Sequence, residues 1–237
     1  MPDPTGTALV GAAMWGQMLY HTYRPRKVGI YGTPMVGKTT LDRYMTTPGE
    51  MEEIEERTSH SRILKLGNFR MPKPTRKRLS WNNERRLVFS SDIGGDTRFW
   101  NLWVEDMVTR GVEAVVYMFD DRAFKGEDAG EQIAGFRFLV DRVIARDYRY
   151  RSIWSRLKGR RYHPRIVMLV ANKADRFFDE TASKLWKDGR IAEHKIFDPF
   201  RDDLIRLQKA GIPTKRSFMA TRIGWNVEKT MLDLLTL

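Results

Sequence analysis

Apolar residues along this chain fall into short, continuous runs separated by longer amphipathic stretches. Lys27–Tyr31, Ala114–Phe119 and Arg165–Ala171 consist almost entirely of aliphatic and aromatic residues. Runs this short and unbroken are what strands buried on both faces require. Arg62–Phe69, Arg86–Ser91 and Arg216–Ala220 read as further strands. The basic stretch Arg70–Arg85, with Pro72 and Pro74, suits a long hairpin connection between the first two of these. Helical patterns cover Lys38 to about Met45, Phe99–Thr109, Gly130–Arg149, Phe200–Ala210 and Trp225–Leu235. Pro48 and Gly49 stop the first, and Val227, Met231, Leu232, Leu234 and Leu235 form the apolar side of the last. Strands alternating with helices predict a doubly wound α/β domain with a largely parallel sheet.

Composition narrows the class without naming a function. The 237 residues suffice for one large α/β domain, and 41% hydrophobic with 30% charged residues fits a globular protein. There is no cysteine, which removes disulfides and thiolate metal sites and fits a reducing compartment. A net charge of +12 favours phosphate-rich or acidic partners, or is only a basic surface. No apolar run is long enough for a standard transmembrane helix.

Three motifs carry chemistry. Gly32-Thr33-Pro34-Met35-Val36-Gly37-Lys38-Thr39 matches G-x-x-x-x-G-K-[ST], between a strand and a helix. Glycines there let the backbone wrap around a phosphate, and the helix end supplies favourable dipole. Lys38 is placed to neutralise β- and γ-phosphates, and the Thr39 hydroxyl to bind Mg²⁺. Asn172-Lys173-Ala174-Asp175 supplies an N-K-x-D sequence at the carboxyl end of a strand. The Asp175 carboxylate can accept two hydrogen bonds from the guanine ring N–H and exocyclic amine, a donor pair adenine lacks. The Lys173 stem can lie on the base, and Asn172 can tie its loop to the phosphate loop. Asp92-Ile93-Gly94-Gly95 supplies D-x-x-G after a strand, with Asp92 toward Mg²⁺ and the Gly95 N–H toward the γ-phosphate.

In this order the motifs resemble those of the Ras/Arf-like small GTPases, within the P-loop GTP-binding superfamily. The D-x-G-G form resembles the Arf-like branch. The resemblance runs from Gly32 to about Thr221. It implies a three-layer α/β/α fold with a six-stranded, mostly parallel sheet and about five helices. It implies Mg²⁺ as cofactor with GTP or GDP bound, and Thr40 beside the phosphate loop. Ser217–Thr221 falls where the family's last base-contacting loop lies, so the Ala220 N–H would meet the guanine carbonyl, with Thr221 adjoining. Thr58, ahead of the second strand, is favoured as the switch ligand to Mg²⁺, with Thr46 and Thr47 as competitors.

The family's water-orienting glutamine is replaced by Asp96, which cannot donate a hydrogen bond when ionised. Lys38, Gly95 and Asp96 remain the candidate catalytic residues, with slow hydrolysis expected. Pro34 and Met35 narrow the loop against a partner's arginine. Residues 1–24 form an apolar segment that contacts either a membrane or a partner, and 25–237 form the GTPase domain with a basic insertion at about 148–164. The expected protein is a cytoplasmic, membrane-peripheral switch. Its partners are effectors, activating and exchange proteins and an anionic membrane surface, with nucleic acid ranked behind. The rival expectations are a GTP-loaded scaffold with negligible turnover and a ribosome-associated GTPase.

Overall fold

The structure, a computed structural model, describes residues 26–46, 63–70, 85–123, 129–145 and 164–235. The segment 1–24, Thr58 and all of the 148–164 insertion except Pro164 lie outside them, as do Thr47 and the side chain of Thr46.

The strands are β1 (Arg26–Tyr31), β2 (Ile63–Arg70), β3 (Arg85–Asp92), β4 (Ala114–Phe119), β5 (Ile166–Ala171) and β6 (Thr214–Phe218). They form one six-stranded sheet in the order β2-β3-β1-β4-β5-β6. β2 runs antiparallel to β3, with Ile63 opposite Asp92 and Arg70 opposite Arg85. All other pairings are parallel. The helices are α1 (Lys38–Thr46), α2 (Trp100–Arg110), α3 (Ala129–Ala145), α4 (Glu180–Lys187), α5 (Arg201–Lys209) and α6 (Val227–Leu235). None among the described residues is long and apolar enough to cross a membrane.

Alternation along the strands divides the interior into two cores. Val115, Tyr117 and Phe119 of β4 join Trp103 and Met107 of α2, Phe136 and Leu139 of α3, and Leu204 and Leu207 of α5. Ala114, Val116 and Met118 point the other way, toward Leu41 of α1 and Met231 and Leu234 of α6. Both faces of β4 and β5 are therefore buried, which explains their unbroken apolar runs. The result is three layers, helices on either side of the sheet.

Two details depart from the sequence reading. β6 spans Thr214–Phe218 rather than 216–220, because the chain turns at Met219, whose carbonyl accepts the Ala174 N–H at 3.0 Å. Among the described residues there are six helices, α4 being unanticipated. Asp179 caps it by accepting the Ala182 N–H at 2.8 Å. Its Trp186 packs on Trp225 with ring centroids 5.6 Å apart.

The loop after β1 leads to a helix on one face of the sheet, while the loops after β3 and β4 lead to helices on the other. In open α/β sheets the carboxyl ends of the strands, where such directions diverge, are where ligands bind.

Candidate functional site

The backbone of 32–37 turns tightly between β1 and α1. Gly32 has φ 143° and Gly37 φ 92°, conformations that side chains disfavour. A Cβ on Gly37 would also strike the Asn172 amide. The Gly37 carbonyl accepts the Leu41 N–H at 3.1 Å and so opens α1. Lys38, the first residue of α1, is buried, and its ammonium donates to the Thr33 carbonyl at 2.8 Å. Thr39 and Thr40 follow, half-buried, in the first helical turn. The Thr33 hydroxyl is buried without a hydrogen-bond partner among the described residues. Val36 is buried, whereas Met35 is 54% exposed. Met35 also sits at φ 62°, in the left-handed region, although it has a side chain.

Asn172, directly after β5, joins three loops. Its Nδ2 donates to the Val36 carbonyl at 2.7 Å and to Thr221 Oγ1 at 3.0 Å. Its Oδ1 accepts the Thr221 N–H at 3.0 Å. Its own N–H donates to Phe119 O at 2.8 Å. Its side-chain amide therefore holds the loop 32–37 and the loop after β6 together, while its backbone N–H ties it to the end of β4. Lys173 takes a left-handed conformation, φ 57°, and its ammonium reaches Asp120 Oδ2 at 2.8 Å. Asp175 lies exposed in the helical turn Ala174–Arg176.

Ala220 requires a correction. Its N–H donates to the Trp225 carbonyl at 3.1 Å and its carbonyl accepts the Trp225 N–H at 3.1 Å. The donor expected to meet a purine carbonyl is thus satisfied inside the protein, because Trp225 folds back as a bridge partner. Thr221 serves the Asn172 junction instead.

The D-x-x-G segment packs directly on the first loop. Asp92 closes β3, and its side chain is outside the described residues. A Cβ on Gly95 would overlap the backbone of Gly32, Thr33 and Pro34, so only glycine permits this approach. The Trp103 indole N–H donates to Gly94 O and that of Trp100 to Gly95 O, each at 3.2 Å. Asp96 is the second correction. Its carboxylate accepts the Arg98 N–H, Nε and Nη2, each at 3.0 Å, and caps the helical turn Thr97–Phe99. A carboxylate one residue from a turn is captured by the nearest backbone N–H and guanidinium, and in this structure Asp96 is engaged there.

Several polar residues at this edge carry no sequence motif. The Asp120 carboxylate is fully buried and accepts from Arg122 Nε at 3.0 Å, Gln132 Nε2 at 2.9 Å and Lys173 Nζ. Burial raises its pKa, but the bonds from Arg122, Lys173 and Gln132 outweigh this and hold it below the usual carboxylate range. Arg122 Nη2 continues to the Pro34 carbonyl at 3.0 Å. The sign that could have found these residues is the Asp120-Asp121-Arg122 cluster ending an apolar strand. Behind the D-x-x-G segment, Asp106 of α2 accepts from Tyr31 at 2.8 Å, Ser91 at 2.6 Å and Arg110 at 2.8 Å. Arg110 also donates to Val28 O at 2.9 Å, so a buried ion pair fastens α2 to β1 and β3.

Searches of family models and of curated proteins find no match to this chain. The site is therefore read from its own chemistry. One end offers a lysine, a helix amino terminus and a buried hydroxyl. The other offers an exposed carboxylate. Asn172 binds the two ends into one unit.

Proposed function

We propose that the chain is a guanine-nucleotide switch of the Ras/Arf-like small-GTPase type, built as a P-loop NTPase, which binds Mg-GTP and hydrolyses it slowly to GDP and phosphate. The observation that carries this reading is the Asn172 junction, which joins the loop Gly32–Thr39 to the loop bearing Asp175 through the 2.7 Å bond to Val36 O. A phosphate tail and a purine belong to one molecule only if the groups that grip them are neighbours.

The unpartnered, buried Thr33 hydroxyl beside Lys38 supports a polar, anionic occupant of the loop. The first-turn N–H groups of α1 favour the same charge. Thr39, a half-buried hydroxyl in that turn, fits an oxygen-seeking Mg²⁺ that shares its shell with substrate phosphates. Asp92 would assist through water. The ion would supply neutralisation of charge as the terminal phosphoryl group leaves. Asp175 selects guanine by accepting from its N–H pair.

Asp96, bound to Arg98, leaves the attacking water without a side chain to orient it, which favours slow turnover. The same observation supports a second reading, a GTP-loaded scaffold that hardly turns over. Partner recruitment through the segments 50–58 and 92–100, and residence near an anionic membrane, belong to the proposal as well.

Chromatography of the denatured protein, followed by GTP and ATP titrations, tests the reading. Guanine nucleotide should co-purify, and Asp175→Asn should shift preference toward xanthine nucleotides, whose 2-carbonyl accepts from the asparagine amide where guanine's amine donates to the carboxylate. Equal affinity for ATP and GTP would sink the proposal. A single-turnover hydrolysis assay separates switch from scaffold.

A further inference from the structure

Arg122 lies in no nucleotide-binding motif, yet it touches the phosphate-type loop at its most strained point. The loop carbonyls of Thr33 and Pro34 are each held by a cation: Lys38 at 2.8 Å and Arg122 at 3.0 Å, respectively. Two properties of the sequence make the second contact consequential. Pro34 has no N–H, so the loop has one backbone donor fewer for an anion. Met35 sits at φ 62°. A residue with a side chain holds a left-handed conformation only when its surroundings constrain it.

The peptide bond Pro34–Met35 is trans, like all those described. Its oxygen and its N–H therefore point in opposite directions. With the oxygen fastened to Arg122, the Met35 N–H is directed to the other side of that peptide. The guanidinium is in turn oriented by Asp120, which Nε contacts at 3.0 and 3.1 Å. Gln132 fixes Asp120 from α3 by a reciprocal pair, Nε2 to Oδ1 at 2.9 Å and the Asp120 N–H to Oε1 at 3.0 Å. Lys173 supplies the remaining cation from the loop after β5. Burying a carboxylate with two cations gains little stability over apolar packing. What this arrangement does supply is orientation, because the partners come from the loop after β4, from α3 and from the loop after β5.

We infer that Arg122 is a positioning residue for polyphosphate: it clamps the Pro34–Met35 peptide so that the Met35 N–H serves the anion, and Asp120 links that clamp to the base-reading loop through Lys173. The inference rests on the nucleotide reading above. It names Arg122 and Asp120 as determinants of how much affinity the second phosphate adds.

The test compares GDP and GMP binding by calorimetry in the full chain, wild type against Arg122→Ala, Arg122→Lys and Arg122→Ala/Met35→Gly. The deciding quantity is the ratio of the GMP to the GDP dissociation constant. General damage to the fold weakens both nucleotides together and leaves the ratio alone. Loss of the clamp lowers it by about tenfold, the worth of one well-placed hydrogen bond to a charged group. Arg122→Lys should lower it less, since an ammonium keeps the charge but lacks the fork that reaches both Asp120 and Pro34. Met35→Gly should restore the ratio in the Arg122→Ala background, because glycine adopts a positive φ without a clamp. An unchanged ratio in Arg122→Ala, or in Arg122→Lys where the alanine variant does not fold, overturns the inference. So does a lowered ratio that glycine fails to restore. GDP binding by the wild type with an unchanged ratio in the variants leaves the nucleotide reading standing. Absence of guanine-nucleotide binding by the wild type removes both.

Discussion

The loops after β5 and β3 both border the loop Gly32–Thr39, and they are held by opposite means. Asn172 is bonded to Val36, 136 positions away, and to Thr221, 49 away. The D-x-x-G loop is held by its own neighbours: Trp100 five residues beyond Gly95, and Trp103 nine beyond Gly94. On the first side one side-chain amide makes the direct junction, and Lys173 adds an indirect one through Asp120 and Arg122. On the second, indole donors, a glycine contact and a buried ion pair share the load. A single substitution at Asn172 should therefore loosen the side after β5 most, whereas the D-x-x-G side should yield only where charge is buried.

The largest effect is expected from that buried charge. Asp106→Ala leaves Arg110 buried without its carboxylate, which should cost about 3–5 kcal/mol. Thermal unfolding should then shift down by about 6–20 °C. Burial raises the Asp106 pKa, but the bonds from Arg110, Ser91 and Tyr31 prevail and depress it. Its contribution is thus complete above the ordinary carboxylate range and is lost as pH falls through the lower, folded-state value. Urea midpoints of wild type and Asp106→Asn against pH should show that difference shrinking in acid. A difference independent of pH would contradict it.

Asn172→Ala comes next, at about 2–3 kcal/mol, because it orphans the Val36 carbonyl and the Thr221 N–H. Under the proposed function it should also weaken GDP binding strongly, while Asp175→Ala weakens binding with little loss of stability. If Asn172→Ala proves milder than Trp103→Phe, the contrast between the two sides fails. Trp103→Phe removes one buried donor and should cost about 1 kcal/mol in chemical denaturation. Trp100→Phe should cost less, since Trp100 is only half-buried. Asp96→Ala is the smallest: it removes the cap of a single short turn and a solvent-screened pair with Arg98, so the melting temperature should fall by no more than about 2–4 °C. A hydrolysis rate that collapsed in Asp96→Ala would restore this residue to the chemistry.

His194 offers an independent check on the core beneath the base side. It is buried against Phe177 and Phe218, and burial lowers its pKa. The folded state therefore resists protonation that the unfolded chain accepts. Stability from the neutral ring is full above the ordinary histidine range and declines as pH falls toward the folded value. The slope should vanish in His194→Phe.

Much of the sheet was legible because continuous apolar runs such as Val115–Phe119 and Val167–Ala171 have one stable destination, a strand buried on both faces. The loop Gly32–Thr39 was legible because its glycines and lysine sit at fixed spacing within one segment. The α4 helix was also written locally, in the Asp179 cap and the spacing of Ala182, Leu185 and Trp186, but it is only eight residues long and Ala182 alone of these is fully buried. Ala220 misled because its N–H is claimed by Trp225, whose return across the turn no local pattern announces. Asp96 misled for the reverse reason. The family position suggested chemistry, while Arg98, two residues on, holds the carboxylate by simple proximity.

Local periodicity and motif spacing thus sufficed for most of the strands and for the layered architecture, since each depends on residues within a few positions of one another. Which polar groups meet was decided by the fold alone. Arg122 and Pro34 are 88 residues apart, and Lys173 and Asp120 are 53 apart. Hydrogen bonds act over about 3 Å, so only the closing of the parallel sheet, which gathers the carboxyl ends of its strands along one edge, could bring such residues within reach.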